Sequence, residues 1–126
     1  MKPIARPVYL DLLRIHLPLP GWVSILHRVS GVLLFLAVPL GVWVLSRSLS
    51  DEAGFLRMLD WATRPPVKLL LLLAVWAFAH HLCAGVRHLA LDIHWGVNLK
   101  PARQSSLAVM LAAGLVTLLA AWRLFA

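Results

Sequence analysis

Residues 69–86 read LLLLLAVWAFAHHLCAGV, eighteen successive positions without Asp, Glu, Lys or Arg. Two comparable runs flank this stretch, eighteen residues between Arg28 and Arg47 and nineteen between Arg103 and Arg123. A helix needs about 17–25 residues to cross ~30 Å of hydrocarbon, and these unbroken runs lack the alternation of barrel strands. The sequence therefore predicts a single-domain, all-α membrane protein. The expected segments are transmembrane helices at about 23–47, 67–93 and 104–125 and a cytoplasmic, interfacial segment at 1–22.

The composition agrees with lipid as the solvent of this chain. Of the 126 residues, 61% are hydrophobic and 13% are charged, whereas soluble proteins have about 45–50% apolar and ~25% charged residues. This excess excludes a disordered chain, and a water-soluble domain of this size would leave much apolar surface in water. The net charge is +7, and the basic residues lie mainly outside the apolar runs. That distribution favours anionic lipid headgroups over nucleic acid as a partner.

The Lys and Arg residues also predict an orientation. With a cytoplasmic N-terminus, seven of the twelve fall on the cytoplasmic side and five on the other side. Because positively charged residues are enriched on the cytoplasmic side of membrane proteins, this bias favours that arrangement. We therefore expect a multi-pass protein of the inner (cytoplasmic) membrane.

Ionisable residues interrupt the apolar character of the second span. His81, Gly85, His88 and Asp92 fall at i, i+4, i+7 and i+11, which places them on one face of a helix, whereas His80 points about 100° away. Gly85 leaves a flat notch one turn from His81. A neutral imidazole beside such a notch suits an axial ligand of haem iron, but a histidine bonded to a neighbouring helix has the same pattern. Spacing alone does not separate His81 from His80.

A second polar group opens the first span. Ser24, His27, Arg28 and Gly31 fall at i, i+3, i+4 and i+7. Arg28 could pair with a haem propionate, and Ser24 with Arg28 could hydrogen-bond a quinone carbonyl. The alternative is an arginine that extends to the headgroups and a serine that caps the helix. Successive spans are antiparallel, so this group is expected at the same membrane face as residues 87–92.

Three stretches resemble the cytochrome b subunit of succinate dehydrogenase, the larger membrane anchor of complex II. Residues 6–12, RPVYLDL, resemble its Arg-Pro-x-x-x-x-Leu segment. Residues 24–31, SILHRVSG, resemble its Ser-Ile-x-His-Arg-x-Ser-Gly signature. Residues 81–92, HLCAGVRHLALD, resemble its His-x3-Gly-x-Arg-His-x3-Asp motif. The resemblance covers nearly the whole chain, and one departure from it is His80, beside the ligand position.

The resemblance implies a haem-binding helical bundle that a second anchor subunit completes around one haem b. By position, His81 corresponds to the axial ligand of the haem iron. His27, Arg28 and His88 correspond to the haem propionate region, and Ser24 and Arg28 to quinone-site residues. The implied partners are the second anchor, an iron–sulfur subunit and a flavoprotein. The implied activity is electron transfer from succinate oxidation to ubiquinone, or to menaquinone, in the tricarboxylic acid cycle and respiratory chain.

The chain itself carries no catalytic headpiece. It has no Gly-rich nucleotide loop, and its single cysteine, Cys83, lies within an apolar run. Flavin and iron–sulfur centres must therefore lie on other subunits, and the chain is one part of an enzyme. Two alternatives remain at this point: an anchor of quinol:fumarate reductase, or a non-enzymatic small transporter or assembly protein. Transporters often show inverted repeats, and this sequence has none.

Overall fold

The computed structural model of the chain describes residues 16–126, so the resemblance at residues 6–12 and most of the predicted interfacial segment lie outside it. Four helices follow one another: α1 (Leu19–Ser48), α2 (Glu52–Thr63), α3 (Pro65–Asp92) and α4 (Leu99–Phe125). Three of them, α1, α3 and α4, are long and apolar enough to cross a membrane. This finding confirms the predicted all-α class with three spans.

Prolines define where the long helices begin. Pro20 lies in the first turn of α1, and Pro65 and Pro66 open α3. The first turn tolerates proline because its N–H groups have no partner within the helix. The same reason explains why α4 begins at Leu99, five residues before the predicted start at 104. Pro101 lies within the first turn of α4 and does not separate the helix from the preceding segment.

The sequence did not predict α2, which connects α1 to α3. The Asp51 carboxylate accepts a hydrogen bond from the Gly54 N–H at 2.5 Å and so caps the start of the helix. A Cβ on Gly54 would collide with the Arg47 carbonyl oxygen, so this glycine allows α2 to pack closely on the end of α1. The rings of Trp43 and Trp61 lie 5.9 Å apart across the same contact. The sequence signal for α2 was the capping residue Asp51, followed by a short stretch that mixes apolar and charged residues.

Helix α3 lies between α1 and α4 and supplies most of the buried contacts. The buried apolar core is made of small side chains and two valines: Val23, Ala77, Ala79, Ala84, Val109 and Ala113. Small residues allow membrane helices to approach closely, and dispersion contacts then hold them together. Most large apolar side chains point outward, as expected for surfaces that face lipid or another membrane subunit.

Polar contacts join α3 to α4 at both ends. Arg87 is 7% exposed; its Nε donates to the Ser105 hydroxyl at 3.1 Å and a terminal N–H to the Ala102 carbonyl at 3.4 Å. At the opposite end the Lys68 ammonium donates to the Leu124 carbonyl, one of the carbonyls left unpaired at a helix C-terminus. These contacts fix α4 against α3 and leave the α1-facing side of α3 for the site.

Candidate functional site

Three histidines from α1 and α3 come together where the start of α1 meets the second half of α3. The His27 and His81 rings stack with centroids 4.2 Å apart and an interplanar angle of 11°. The His88 ring lies 5.1 Å from the His27 ring at a tilt of 50°. The antiparallel packing of α1 and α3 therefore brings the two sequence clusters together. We call this group the histidine cluster (His27, His81 and His88).

The hydrogen bonding of His81 defines its tautomer. Its Nδ1 lies 3.1 Å from the His27 carbonyl oxygen and 3.4 Å from the Ser30 hydroxyl. Because a carbonyl can only accept, the proton of a neutral imidazole is on Nδ1, and the lone pair of Nε2 is then free. Histidines that bind metal usually donate their other ring N–H to a carbonyl or carboxylate in this way. The ring is half-buried, so His81 has the chemistry and the access of an axial ligand.

His80 has a different environment although it is the next residue. Its side chain is fully buried, at 0% exposure, and its ring lies nearly parallel to Trp76 at 5.6 Å. Its Nε2 is 3.5 Å from the Val23 carbonyl oxygen, and its Nδ1 has no hydrogen-bond partner among residues 16–126. A side chain enclosed within the chain's own helices has no open side for a group as large as a porphyrin. The structure thus separates the two histidines that spacing left equivalent.

Two glycines allow the histidine rings to pack. Gly85, which the sequence predicted, lies on α3, and the second glycine, Gly31, lies on α1. A Cβ on Gly31 of α1 would lie 3.0 Å from Cε1 of His81, closer than ordinary van der Waals contact. A Cβ on Gly85 would lie 3.5 Å from Nε2 of His27, an ordinary contact. The notch at Gly85 therefore receives the His27 ring, and the glycine that makes room for His81 is Gly31.

The other predicted site residues lie around the histidine cluster. Ser24 is half-buried one turn before His27, and the exposed Arg28 follows His27. Arg87, which belongs to the same sequence motif as His81, turns away from the cluster and bonds α4. Asp92 ends α3 and is exposed. The structure thus places Ser24, Arg28 and the three histidines at one end of the α1–α3 pair and gives Arg87 a packing role.

The side chains of this site differ in their fit to a haem iron and to a free metal ion. Within the described part of the chain, no three His, Cys, Asp or Glu side chains come together to hold a metal ion. A haem iron takes protein ligands only at its axial positions, so one imidazole with a free Nε2 suffices on this side. His81 therefore fits haem ligation, whereas the histidine cluster does not form a site for a free ion.

Comparisons with known proteins identify the family of the chain. Residues 2–121 match the family model described as succinate dehydrogenase/fumarate reductase transmembrane subunit. The succinate dehydrogenase cytochrome b556 subunit of Coxiella burnetii is 34% identical over 116 residues, covering 91% of this chain and 93% of the relative. The subunit of the same name from Rickettsia felis is 34% identical over 114 residues, covering 90% and 89%. That of Paracoccus denitrificans is 34% identical over 106 residues, covering 83% and 81%. The resemblance found in the sequence is thereby confirmed, and the chain belongs to the family of succinate dehydrogenase and fumarate reductase transmembrane subunits.

Proposed function

We propose that this chain is the haem b-binding membrane anchor of a succinate dehydrogenase that passes electrons from succinate oxidation to ubiquinone. The relatives' names, which contain both succinate dehydrogenase and cytochrome b556, support this role. The observation that carries the haem assignment is the bond from His81 Nδ1 to the His27 carbonyl at 3.1 Å. It leaves Nε2 of a half-buried ring available to iron. Haem, when bound there, supplies a one-electron carrier beside the quinone site.

The remaining residues of the cluster would hold the periphery of the haem. His27 and His88 lie within 5.1 Å of each other, and Arg28 follows His27 on α1. Imidazole N–H groups and a guanidinium are donors suited to propionate carboxylates, and the guanidinium adds charge-assisted bonds. The second axial ligand would come from the second anchor subunit, which closes the exposed side of His81.

Ser24 and Arg28 would bind the quinone head group. The two residues are one turn apart at the start of α1, where the apolar span meets the polar interface. A hydroxyl and a guanidinium both donate to a quinone carbonyl, and the lipid-soluble tail can remain in the hydrocarbon. Ubiquinone is the proposed electron acceptor, and the same two hydrogen-bond donors would also bind menaquinone.

The rest of the complex would lie outside this chain. An iron–sulfur subunit and a flavoprotein would dock at the cytoplasmic face, where the start of α1 and the end of α3 meet. The proposed orientation has a cytoplasmic N-terminus in the inner membrane, consistent with the Lys and Arg bias of the sequence. In this arrangement the chain contributes positioning to an oxidoreductase and no catalytic residue of its own.

The haem assignment is tested in the purified complex by absorption spectroscopy. His81→Ala should abolish the reducible b-type spectrum, because it removes one axial ligand. His94→Ala is the matched control, since His94 is exposed in the turn between α3 and α4. A complex whose haem content and spectrum were unchanged by His81→Ala would refute the assignment.

The quinone assignment needs a separate assay. Arg28→Leu should slow electron transfer from succinate to a soluble ubiquinone analogue about tenfold or more, the effect of losing a hydrogen bond from a charged group. Ser24→Ala should slow it about two- to tenfold, because a hydroxyl makes a neutral hydrogen bond. Reduction of a water-soluble dye by the same preparations should continue at the unaltered rate, because the headpiece is intact. Arg103→Leu, an exposed arginine at the start of α4, is the control. Equal loss of both activities would instead indicate disruption of the whole complex.

The second candidate is an anchor of quinol:fumarate reductase, because the matching family description includes fumarate reductase. The two complexes differ in the favoured direction of the reaction, which depends on the quinone and the cofactor potentials. Measuring succinate oxidation and fumarate reduction on one preparation, together with the extracted quinone, decides between them. The family assignment leaves the small transporter or assembly protein without support.

A further inference from the structure

Ser30 is a buried hydroxyl directly behind His81. Its side chain is fully buried, at 0% exposure, on the face of α1 that packs against α3. Its Oγ donates to the His27 carbonyl oxygen at 2.9 Å and lies 3.4 Å from Nδ1 of His81. The His27 carbonyl oxygen accepts the backbone N–H of Gly31 within α1, and it also has two side-chain donors, the Ser30 hydroxyl and the His81 N–H at 3.1 Å.

A serine that bonds the preceding turn of its own helix is common and by itself needs no functional explanation. Ser106 of α4 makes the same kind of bond, to the Ala102 carbonyl at 2.7 Å, and is equally buried. The Ala102 carbonyl also accepts a bond from another helix, from Arg87 of α3. Ser30 differs because it shares its acceptor with His81, the proposed ligand of the iron. The two side-chain donors share this oxygen with the helix bond, so each weakens the other's hydrogen bond.

We propose that Ser30 is a positioning residue for His81, an inference that rests on the proposed ligation of haem iron by His81. The His81 imidazole lies against the Ser30 hydroxyl and over the backbone of Gly31. A Cβ on Gly31 would lie 3.0 Å from Cε1 of the ring, so the missing side chain lets the ring lie close against α1. Hydrogen bonds at the ring nitrogen that does not bind the metal orient a ligating histidine and set its basicity.

The direction of the effect follows from the shared carbonyl. The Ser30 hydroxyl draws electron density from the His27 carbonyl and so weakens its bond to the His81 N–H. When the hydroxyl is removed, the carbonyl bonds the N–H more strongly and the imidazole becomes a more electron-rich ligand. A more basic axial ligand favours ferric over ferrous iron, so the midpoint potential of the haem should fall.

The experiment is a redox titration of the haem in the purified whole complex, followed by absorbance, for the unmodified protein and three variants. Ser30→Ala is expected to retain haem and to titrate at a lower potential. Ser30→Thr keeps the hydroxyl, and Thr117 shows that threonine makes the equivalent bond within a helix of this chain. It should therefore titrate like the unmodified protein. Ser106→Ala, the matched control, removes an equally buried hydroxyl away from His81 and should leave the potential unchanged.

The outcomes are distinguishable. An unchanged potential in Ser30→Ala, or an equal shift in Ser106→Ala, overturns the role of Ser30. Loss of haem from Ser30→Ala supports the positioning role if both Ser30→Thr and Ser106→Ala retain haem. If Ser106→Ala loses haem as well, the positioning role is overturned. Electron paramagnetic resonance of the ferric haem gives a second readout, because it reports the orientation of the axial imidazole. Absence of haem from the unmodified complex would instead contradict the proposed function.

Discussion

Two sides of helix α3 carry the same pattern of spacing and have different environments. The sealed stripe contains His80, Ala84 and Arg87, all buried, at i, i+4 and i+7. The open stripe contains His81, Gly85 and His88 at the same spacing, and all three residues are only partly buried. Each stripe has a histidine, a small residue and a second basic side chain, so the sequence pattern does not tell them apart.

What separates the stripes is the partner that each one faces. The sealed stripe packs against Val23 of α1 and Val109 of α4, and Arg87 bonds Ser105 of α4. The open stripe faces the start of α1, whose serine, histidine and glycine leave His81 with a free Nε2. A ligand therefore needs the open stripe, whereas the sealed stripe holds the three helices together.

After His81→Ala, which removes the proposed ligand itself, the largest effect is expected from Gly31→Ala, which acts on the open stripe. The added methyl would lie 3.0 Å from the His81 ring, and the bond to the His27 carbonyl prevents the ring from moving away. Overpacking of this kind costs about 1–3 kcal/mol, so haem affinity should fall about fivefold or more. Haem content per complex, from the pyridine haemochrome spectrum, measures the loss.

The control for this variant is Gly41→Ala. Gly41 lies in the same helix, and a Cβ there meets nothing within 4 Å among residues 16–126. Because alanine is also the better helix former, this variant should keep its haem. Full haem content in Gly31→Ala would mean that His81 does not need its present orientation, and the distinction between the stripes would then lose its functional meaning.

A smaller effect is expected on the sealed stripe from Arg87→Leu. The substitution removes the bonds of Arg87 to Ser105 and Ala102 and should destabilise the α3–α4 contact by about 1–3 kcal/mol. Thermal unfolding in detergent should shift to lower temperature, while the haem spectrum of the remaining folded complex stays unchanged. Arg103→Leu, at an exposed position, should leave both unaltered. A changed spectrum in Arg87→Leu at full stability would place Arg87 with the open stripe.

The sequence predicted the spans and the open stripe because both depend on local properties. Runs of about eighteen apolar residues determine where helices cross, and the i, i+4, i+7 spacing determines which residues share a face. Ser24, Arg28 and the three histidines of the cluster were all identified in this way. Their arrangement at one end of the α1–α3 pair follows from antiparallel packing.

The roles of Gly31 and Arg87 depend on contacts between helices, which the sequence of a single helix does not determine. Gly31 was seen as a member of its face, but its role appears only when His81 of another helix lies above it. Arg87 belongs to the same motif as His81, yet the rotation of α3 turns it towards α4. Helix α2 was missed because its apolar residues are too few for a span and its cap is local to Asp51.

The smallest effect is expected from His80→Leu, and it compares the two adjacent histidines directly. The 3.5 Å contact of His80 with the Val23 carbonyl is long, and its Nδ1 has no partner within the described residues, so the imidazole contributes little net stability. Leucine has a similar volume and removes the buried polar atoms, so the free energy of unfolding should change by less than about 1.5 kcal/mol in either direction. Haem content should remain complete, in contrast with His81→Ala. A colourless His80→Leu complex of normal stability would assign the ligand to the sealed stripe, and the tautomer of His81 would then have to be explained by its packing on α1 alone.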